Sequence, residues 1–127
     1  MSAVDKYIVA VVDDDPRILE SLESLLASTG HAVRLFPSAE AFLNHDLAEI
    51  DCLISDIGMS GMDGFELQRL VKMARPDLPV ILITGRHDMA DHIGTVPQES
   101  GIVFRKPYNV LDLLAAVSAS LRAGPSE

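Results

Sequence analysis

Short apolar runs alternate with amphipathic stretches along the chain. Five runs have the length of strands, and all but the second lack charged residues, which is typical of strands buried on both faces of a sheet. The second run alternates only weakly, so we predict it near a sheet edge. The predicted strands are residues 7–12, 31–36, 52–55, 80–83 and 102–104.

Apolar residues recur at helical spacing between these runs. The pair Asp15-Pro16 predicts the start of a first helix, Ser38 that of a short second helix and Asp63 that of a third, while Asn109 opens the last one. The apolar stripes predicted for the first, third and last helices are Ile18, Leu19, Leu22, Leu25, Leu26, Phe65, Leu67, Leu70, Val71, Met73, Val110, Leu111, Leu114, Val117 and Leu121.

Strands that alternate with helices predict a parallel sheet with helices on both faces. The expected fold is therefore α/β: a five-stranded parallel sheet, doubly wound and flavodoxin-like. A glycine and a proline interrupt segment 85–101, so the fourth crossover helix is predicted to be short or irregular. With 127 residues, 48% of them hydrophobic, the chain fits a single domain over 1–127, with a folded core at 6–122 and a flexible tail at 123–127.

Charge and cysteine content narrow the function. The chain has 10 basic and 19 acidic residues, and a net charge of −9 argues against direct nucleic-acid binding by this domain, which needs clustered Lys and Arg. The lone Cys52 lies within an apolar run, so we predict a core thiol in a reducing cytoplasm. No apolar run approaches the roughly 20 residues that span a bilayer, and no export signal is recognised, so we expect a cytoplasmic protein without membrane contact.

The polar residues of most interest directly follow the apolar strands. Asp13, Asp14 and Asp15 come after the first strand, and Asp56 comes after the third. The carboxyl ends of parallel strands meet at one edge of the sheet, where such folds bind ligands. Carboxylates crowded there repel one another unless a cation or proton compensates, and Mg²⁺ (or Mn²⁺) is the natural cation for oxygen ligands.

A hydroxyl and a lysine join these acids, since Thr84 follows the fourth strand and Lys106 the fifth. This combination favours phosphoryl transfer, because the transferring group spreads negative charge over its oxygens and the protein chiefly positions it and neutralises that charge. A carboxylate such as Asp56 can become an acyl phosphate, which is a known form of covalent catalysis.

The order and separations of these residues resemble the receiver domain of bacterial two-component response regulators, over essentially the whole chain. The matching residues are Asp13, Asp14, Asp56, Met59, Met62, Asp63, Gly64, Thr84, Gly85, Lys106 and Pro107. The resemblance implies that Asp56 is the phosphoacceptor of a signal transduction phosphorelay. The implied phosphodonor is a sensor histidine kinase or a phosphotransfer protein.

The same resemblance assigns roles to the other residues. The implied Mg²⁺ ligands are Asp13, Asp14, Asp56 and the backbone carbonyl of Gly58. Thr84 and Lys106 would contact the phosphoryl oxygens, and the bond before Pro107 is expected to be cis. Such a domain is not an enzyme in the usual sense, since it catalyses only its own phosphorylation and dephosphorylation. It would signal by a conformational change to a protein partner or output domain, and a phosphorylation-dependent dimer is a further expectation.

Several positions depart from the family pattern. Ser60 replaces the usual proline in the loop after Asp56. Val103 occupies the switch position, where receivers commonly have an aromatic ring that turns inward on activation. We therefore expect signalling through the ordering or displacement of segment 85–101. In the family, the position two residues after the threonine tunes the lifetime of the phosphoryl group, and the resemblance implies this role for Arg86.

A hydrolase is the alternative reading. Phosphohydrolases of the haloacid dehalogenase type also use an aspartyl nucleophile at a strand end, and Asp13 and Asp15 have the required spacing. Pro16, the short chain and the separate Asp56 count against that reading.

Overall fold

The computed structural model describes residues 7–59, 61–84, 102–105 and 109–123. They form a parallel sheet with the strand order β2-β1-β3-β4-β5. The strands are β1 (Ile8–Val12), β2 (Ala32–Phe36), β3 (Cys52–Asp56), β4 (Val80–Thr84) and β5 (Ile102–Arg105). The helices are α1 (Pro16–Ala27), α2 (Ala39–Leu43), α3 (Gly64–Ala74) and α4 (Val110–Ala123), with a 3₁₀ turn at Leu47–Glu49.

The predicted flavodoxin-like architecture is confirmed, and β2 lies at an edge of the sheet as expected. The chain runs from β1 outward to β2 and then crosses to β3 on the other side of β1. This reversal creates a crevice at the carboxyl ends of β1 and β3. The predicted short or irregular helix at 85–101 lies outside the described residues, and the single-domain boundaries stay a prediction.

Helices cover both faces of the sheet because the central strands are apolar on both sides. Val9 and Val11 of β1 pack with Ile54 and Ile83 on the face that α1 and α4 cover. Ala10 and Val12 project into the opposite cluster, which α2 and α3 cover. Because its side chains alternate between the two faces of the sheet, β1 contributes to two separate hydrophobic cores.

The predicted helix starts are confirmed by their caps. The side chains of Asp15, Ser38 and Asp63 each accept a backbone N–H from the first turn of α1, α2 and α3. The Asn109 side chain accepts the N–H of Asp112 at 3.0 Å at the start of α4.

Three residues of the predicted apolar stripes lie outside the core, and the predicted burial of Met73 is wrong. Met73 is 73% exposed, and the buried face of α3 is instead formed by Gly64, Leu67, Gln68 and Val71. Val110 and Leu111 are also exposed, and the side chains of α4 that are buried are Leu113, Val117 and Leu121. Helical geometry explains two of the three, because Met73 and Leu111 fall outside the buried arcs of α3 and α4. Val110 lies on the buried arc of α4 but is the first residue of that helix.

Candidate phosphoacceptor and cation site

The three acids that directly follow β1 differ in their burial. Asp13 is buried, Asp14 is exposed and Asp15 is half-buried. The N–H of Asp13 donates to the Phe36 carbonyl oxygen at 3.1 Å, which extends the pairing of β1 with β2 by one residue. An Asp13 carboxylate oxygen accepts the Asp15 N–H at 2.9 Å. The chain therefore turns out of β1 around the Asp13 side chain.

Asp15 serves the helix that follows. Its Oδ1 accepts the Arg17 N–H at 2.9 Å, and its other oxygen lies 3.1 Å from the Arg17 guanidinium. The Asp15 carboxylate raises the pKa of Arg17 through this hydrogen bond and its charge. Asp15 thus acts as the cap of α1, as predicted.

Asp56 ends β3, at the centre of the sheet. It is 5% exposed and stands opposite Ile83 of β4 in the strand register. The N–H of Ile57 donates to the Ile83 carbonyl oxygen at 2.8 Å, so the pairing continues beyond Asp56. The Ser55 hydroxyl donates to the Asp56 carbonyl oxygen at 3.0 Å. Neighbouring strands and Ser55 together hold the main chain of Asp56.

The structure brings Asp13, Asp14 and Asp56 together. One carboxylate oxygen from each residue lies within 4.8 Å of the other two. Opposite ligands of an octahedral Mg²⁺ ion with bonds of about 2.1 Å lie about 4.2 Å apart, so a spacing within 4.8 Å is close to the separation that one such cation needs. The donor set contains only carboxylate oxygens, as Mg²⁺ or Mn²⁺ prefers. The residues present therefore fit the cation that the sequence predicts.

A closed loop connects β3 to α3 and carries the predicted carbonyl ligand. The Ile57 carbonyl oxygen accepts the N–H of Met59 at 3.1 Å and the N–H of Gly64 at 2.9 Å. Gly61 adopts φ 76°, a left-handed conformation that glycine takes without strain. Gly58 is exposed within this loop, two residues after Asp56. Its role as a ligand stays a prediction.

Thr84 completes the described part of the site. It is buried at the end of β4, one residue beyond the partner of Asp56 in the register, and pairs across with Arg105 of β5. The main chain of Val103 in β5 pairs with Leu82 of β4. The Val103 side chain lies outside the described part of the structure. The remaining predicted residues, Arg86, Lys106 and Pro107, lie outside the described residues, so their roles stay predictions.

Sequence reasoning missed the close packing at Gly64. This glycine is the first residue of α3 and is buried against the end of β3. Glycine is a poor helix former, so its presence directly after the Asp63 cap was the available signal.

Fold and site together define a class: a doubly wound α/β domain with a carboxylate cluster at the switch point between β1 and β3. Among the residues that the structure describes, no helix combines the length and apolar character needed to cross a membrane.

Burial raises the pKa of the Cys52 thiol to about 12, with a smaller effect of the Asp51 charge, which agrees with the core position predicted for Cys52.

Known proteins narrow this class. The response regulator receiver domain model matches residues 9–118. The chain is 35% identical to the response regulator protein TmoT of Ectopseudomonas mendocina over 94% of this chain and 55% of that protein. It is 31% identical to the transcriptional regulatory protein FixJ of Bradyrhizobium diazoefficiens over 90% of this chain and 56% of that protein. The chain belongs to the response regulator receiver domain family.

A solved structure agrees with this assignment. The response regulator TrrA of Thermotoga maritima, crystallised with Mg²⁺ and BeF, superposes with a TM-score of 0.79 at 25% identity, covering 91% of this chain and 99% of that one. The chain spans about half the length of the curated relatives named above. It is a signalling domain of two-component systems, and none of these comparisons favours the haloacid dehalogenase alternative.

Proposed function

We propose that Asp56 accepts a phosphoryl group from a sensor histidine kinase or phosphotransfer protein, with Mg²⁺ (or Mn²⁺) bound beside it. The observation that carries the proposal is the meeting of the Asp13, Asp14 and Asp56 carboxylates within 4.8 Å at the carboxyl ends of β1 and β3. Asp13, Asp14, Asp56 and the Gly58 carbonyl are the proposed ligands of the cation.

Asp56 is the preferred nucleophile among these acids. Asp13 uses a carboxylate oxygen to accept the Asp15 amide, and Asp15 caps α1. Asp56 stands between β1 and β4, so Thr84 at the end of β4 is well placed for the oxygens of an incoming phosphoryl group.

The proposed reaction forms one bond and breaks one bond. An Asp56 carboxylate oxygen attacks phosphorus, and the bond from phosphorus to the donor imidazole nitrogen breaks. A bound divalent cation supplies charge neutralisation for the phosphoryl oxygens. Thr84 and Lys106 contact those oxygens and hold the group in line. The domain catalyses only this transfer and its own dephosphorylation.

The proposed output is a conformational change read by a protein partner or an output domain. FixJ is a transcriptional regulatory protein, and this chain spans 56% of it, which supports an attached output domain. With a net charge of −9, the receiver itself would not bind nucleic acid. The proposal also includes Val103 as the switch position and Arg86 as a residue that tunes the lifetime of the phosphoryl group. It further includes a cis bond before Pro107 and a phosphorylation-dependent dimer. The family and the buried thiol of Cys52 favour a cytoplasmic location.

Incubation with acetyl phosphate and Mg²⁺ tests the proposal. Wild-type protein should incorporate one phosphoryl group, Asp56→Ala should incorporate none, and EDTA should abolish incorporation. Asp15→Asn serves as the control for the hydrolase alternative and should retain incorporation. Loss of the reaction in Asp15→Asn with retention in Asp56→Ala would contradict the proposal.

A further inference from the structure

Helix α3 begins in direct contact with the main chain of Asp56. A Cβ atom placed on Gly64 would lie 2.5 Å from the Asp56 carbonyl oxygen and 2.8 Å from the Ile57 Cα. It would also lie 3.1 Å from the Asp56 carbonyl carbon. Real Cβ atoms essentially never come closer than 3.0 Å to such neighbours. Any side chain at position 64 therefore forces either the end of β3 or the start of α3 to move.

The end of β3 resists this movement. The Ile57 N–H donates to the Ile83 carbonyl oxygen at 2.8 Å, so the residue after Asp56 is held to β4. The Asp56 carbonyl oxygen already accepts the Ser55 hydroxyl at 3.0 Å. Cys52 to Ile57 are all buried, which leaves little space into which this backbone can move.

The start of α3 is held by the loop that it closes. The Gly64 N–H donates to the Ile57 carbonyl oxygen at 2.9 Å, and the Asp63 side chain accepts the Glu66 N–H at 2.9 Å. Leu67 and Val71 anchor the helix in the core with fully buried side chains. If the start of α3 were displaced, the hydrogen bond between the Gly64 N–H and the Ile57 carbonyl oxygen would lengthen. The loop that contains Gly58 would then open.

We propose that Gly64 is a positioning residue of the phosphoacceptor site. Its missing side chain lets α3 pack on the Asp56 main chain, and this packing sets the Asp56 carboxylate and the Gly58 carbonyl relative to Asp13 and Asp14. The inference rests on the proposed function, because it concerns the same cation and phosphoryl site. It adds a residue that contacts neither the cation nor the phosphoryl group.

Gly30 offers a matched control for a test by substitution. It has φ 93°, so alanine there is strained and lowers stability, yet an added Cβ meets nothing within 4 Å. Gly30 follows α1 and precedes the amino end of β2, whereas Asp56 lies at the carboxyl end of β3. Gly30→Ala therefore reproduces a loss of stability without crowding the site.

The experiment compares wild type, Gly64→Ala and Gly30→Ala at a temperature where circular dichroism shows each to be folded. The dissociation constant for Mg²⁺ is measured by calorimetry, and the rate of phosphorylation by acetyl phosphate is measured by mass spectrometry. Gly64→Ala should weaken Mg²⁺ binding by about tenfold or more and slow phosphorylation, whereas Gly30→Ala should change only the melting temperature. Wild-type constants in folded Gly64→Ala would overturn the inference while leaving the proposed function intact.

A measurement on wild-type protein decides the matter where Gly64→Ala does not fold. Amide hydrogen exchange is followed with and without Mg²⁺ and beryllofluoride at Gly64, whose N–H bonds to Ile57, and at Gly30, whose N–H bonds to Ala27 at 2.9 Å. Exchange at Gly64 should slow by several-fold more than exchange at Gly30. Equal slowing at both amides would overturn the inference. Wild-type protein that binds neither reagent would refute the proposed function, and the role of Gly64 with it.

Discussion

Burial and hydrogen bonding give three consecutive aspartates different roles. Asp13 is buried and organises the turn out of β1, Asp14 is exposed beside it, and Asp15 caps α1. Only the first two join Asp56 in the carboxylate cluster. Adjacent residues thus have separate roles: Asp13 and Asp14 are proposed cation ligands, and Asp15 starts α1.

Asp13→Asn should weaken Mg²⁺ binding by more than about tenfold, because it removes one of the clustered negative charges while the amide oxygen can still accept the Asp15 N–H. Calorimetric titration with Mg²⁺ measures the change, since the chain has no tryptophan to report binding by fluorescence. Glu23→Gln, at an exposed position of α1, removes the same charge and should leave the affinity near wild type. Equal affinities in Asp13→Asn and wild type would place the cation elsewhere.

The buried Cys52 thiol predicts a dependence of stability on alkaline pH. Burial raises its pKa from 9.0 to about 12, so the folded state keeps the proton while the unfolded state releases it. The stabilisation is full below pH 9 and is lost as the pH rises toward 12. The free energy of unfolding should fall by up to about 1.4 kcal/mol per pH unit in this window.

Urea denaturation of wild type and Cys52→Ala between pH 8 and 11 isolates this contribution. The alanine variant lacks the thiol, so its stability should fall less steeply above pH 9. Parallel pH profiles for the two proteins would show that Cys52 does not contribute.

Helices and strands followed the sequence pattern closely wherever local chemistry sets them. The caps at Asp15, Ser38, Asp63 and Asn109 were readable because a short polar side chain satisfies the free N–H groups of a first helical turn. The strands could be predicted because their apolar runs end at polar residues.

Side-chain burial was harder to predict within the helices. Each helix offers more apolar residues than its buried arc can hold, so the sequence alone did not exclude Met73 or Leu111 from the core. Gln68 is buried in α3 although its side chain is polar. The contact of Gly64 with Asp56 depends on how α3 packs on β3, which no local pattern specifies.

Arg75 links the end of α3 to the 3₁₀ turn that precedes β3, away from the carboxyl ends of the strands where the site lies. Its guanidinium donates to the carbonyl oxygens of Leu47 at 2.7 Å and Ile50 at 3.1 Å, and it also pairs with Asp77 at 3.1 Å. Hydrogen bonding to Arg75 is the main cause that lowers the pKa of Asp77. This side chain joins two connections that are 25 to 28 residues apart in the sequence.

Arg75→Ala should lower the free energy of unfolding by about 1–3 kcal/mol, because two part-buried carbonyl groups lose their donor. Arg69→Ala is the matched control on the same helix, since exposed Arg69 forms a 3.9 Å ion pair with Glu66 at the protein surface. Urea denaturation measures both variants. An effect of Arg75→Ala no larger than that of Arg69→Ala would refute the structural role.

The domain as a whole is strongly acidic, and three of its carboxylates lie at one end of the sheet. Folding brings these like charges together, which costs free energy that a bound cation would offset. We therefore expect stability and cation binding to be linked.

Mg²⁺ should raise the free energy of unfolding by about 2.7 kcal/mol at a concentration one hundred times its dissociation constant. Thermal unfolding with and without EDTA measures this rise. Asp13→Asn should show a smaller rise, and in EDTA it should be at least as stable as wild type because one repulsive charge is gone. Identical Mg²⁺ responses in the two proteins would argue against the linkage.

The position of the phosphoryl group is the most direct test of the proposed chemistry. Wild-type protein is phosphorylated with acetyl phosphate and Mg²⁺, the acyl phosphate is trapped by borohydride reduction, and the modified residue is located by peptide mass spectrometry. We predict a single modification at Asp56 and none in the peptide that carries Asp13, Asp14 and Asp15. Modification of Asp13 or Asp15, with Asp56 unmodified, would contradict the assignment of Asp56 as the phosphoacceptor.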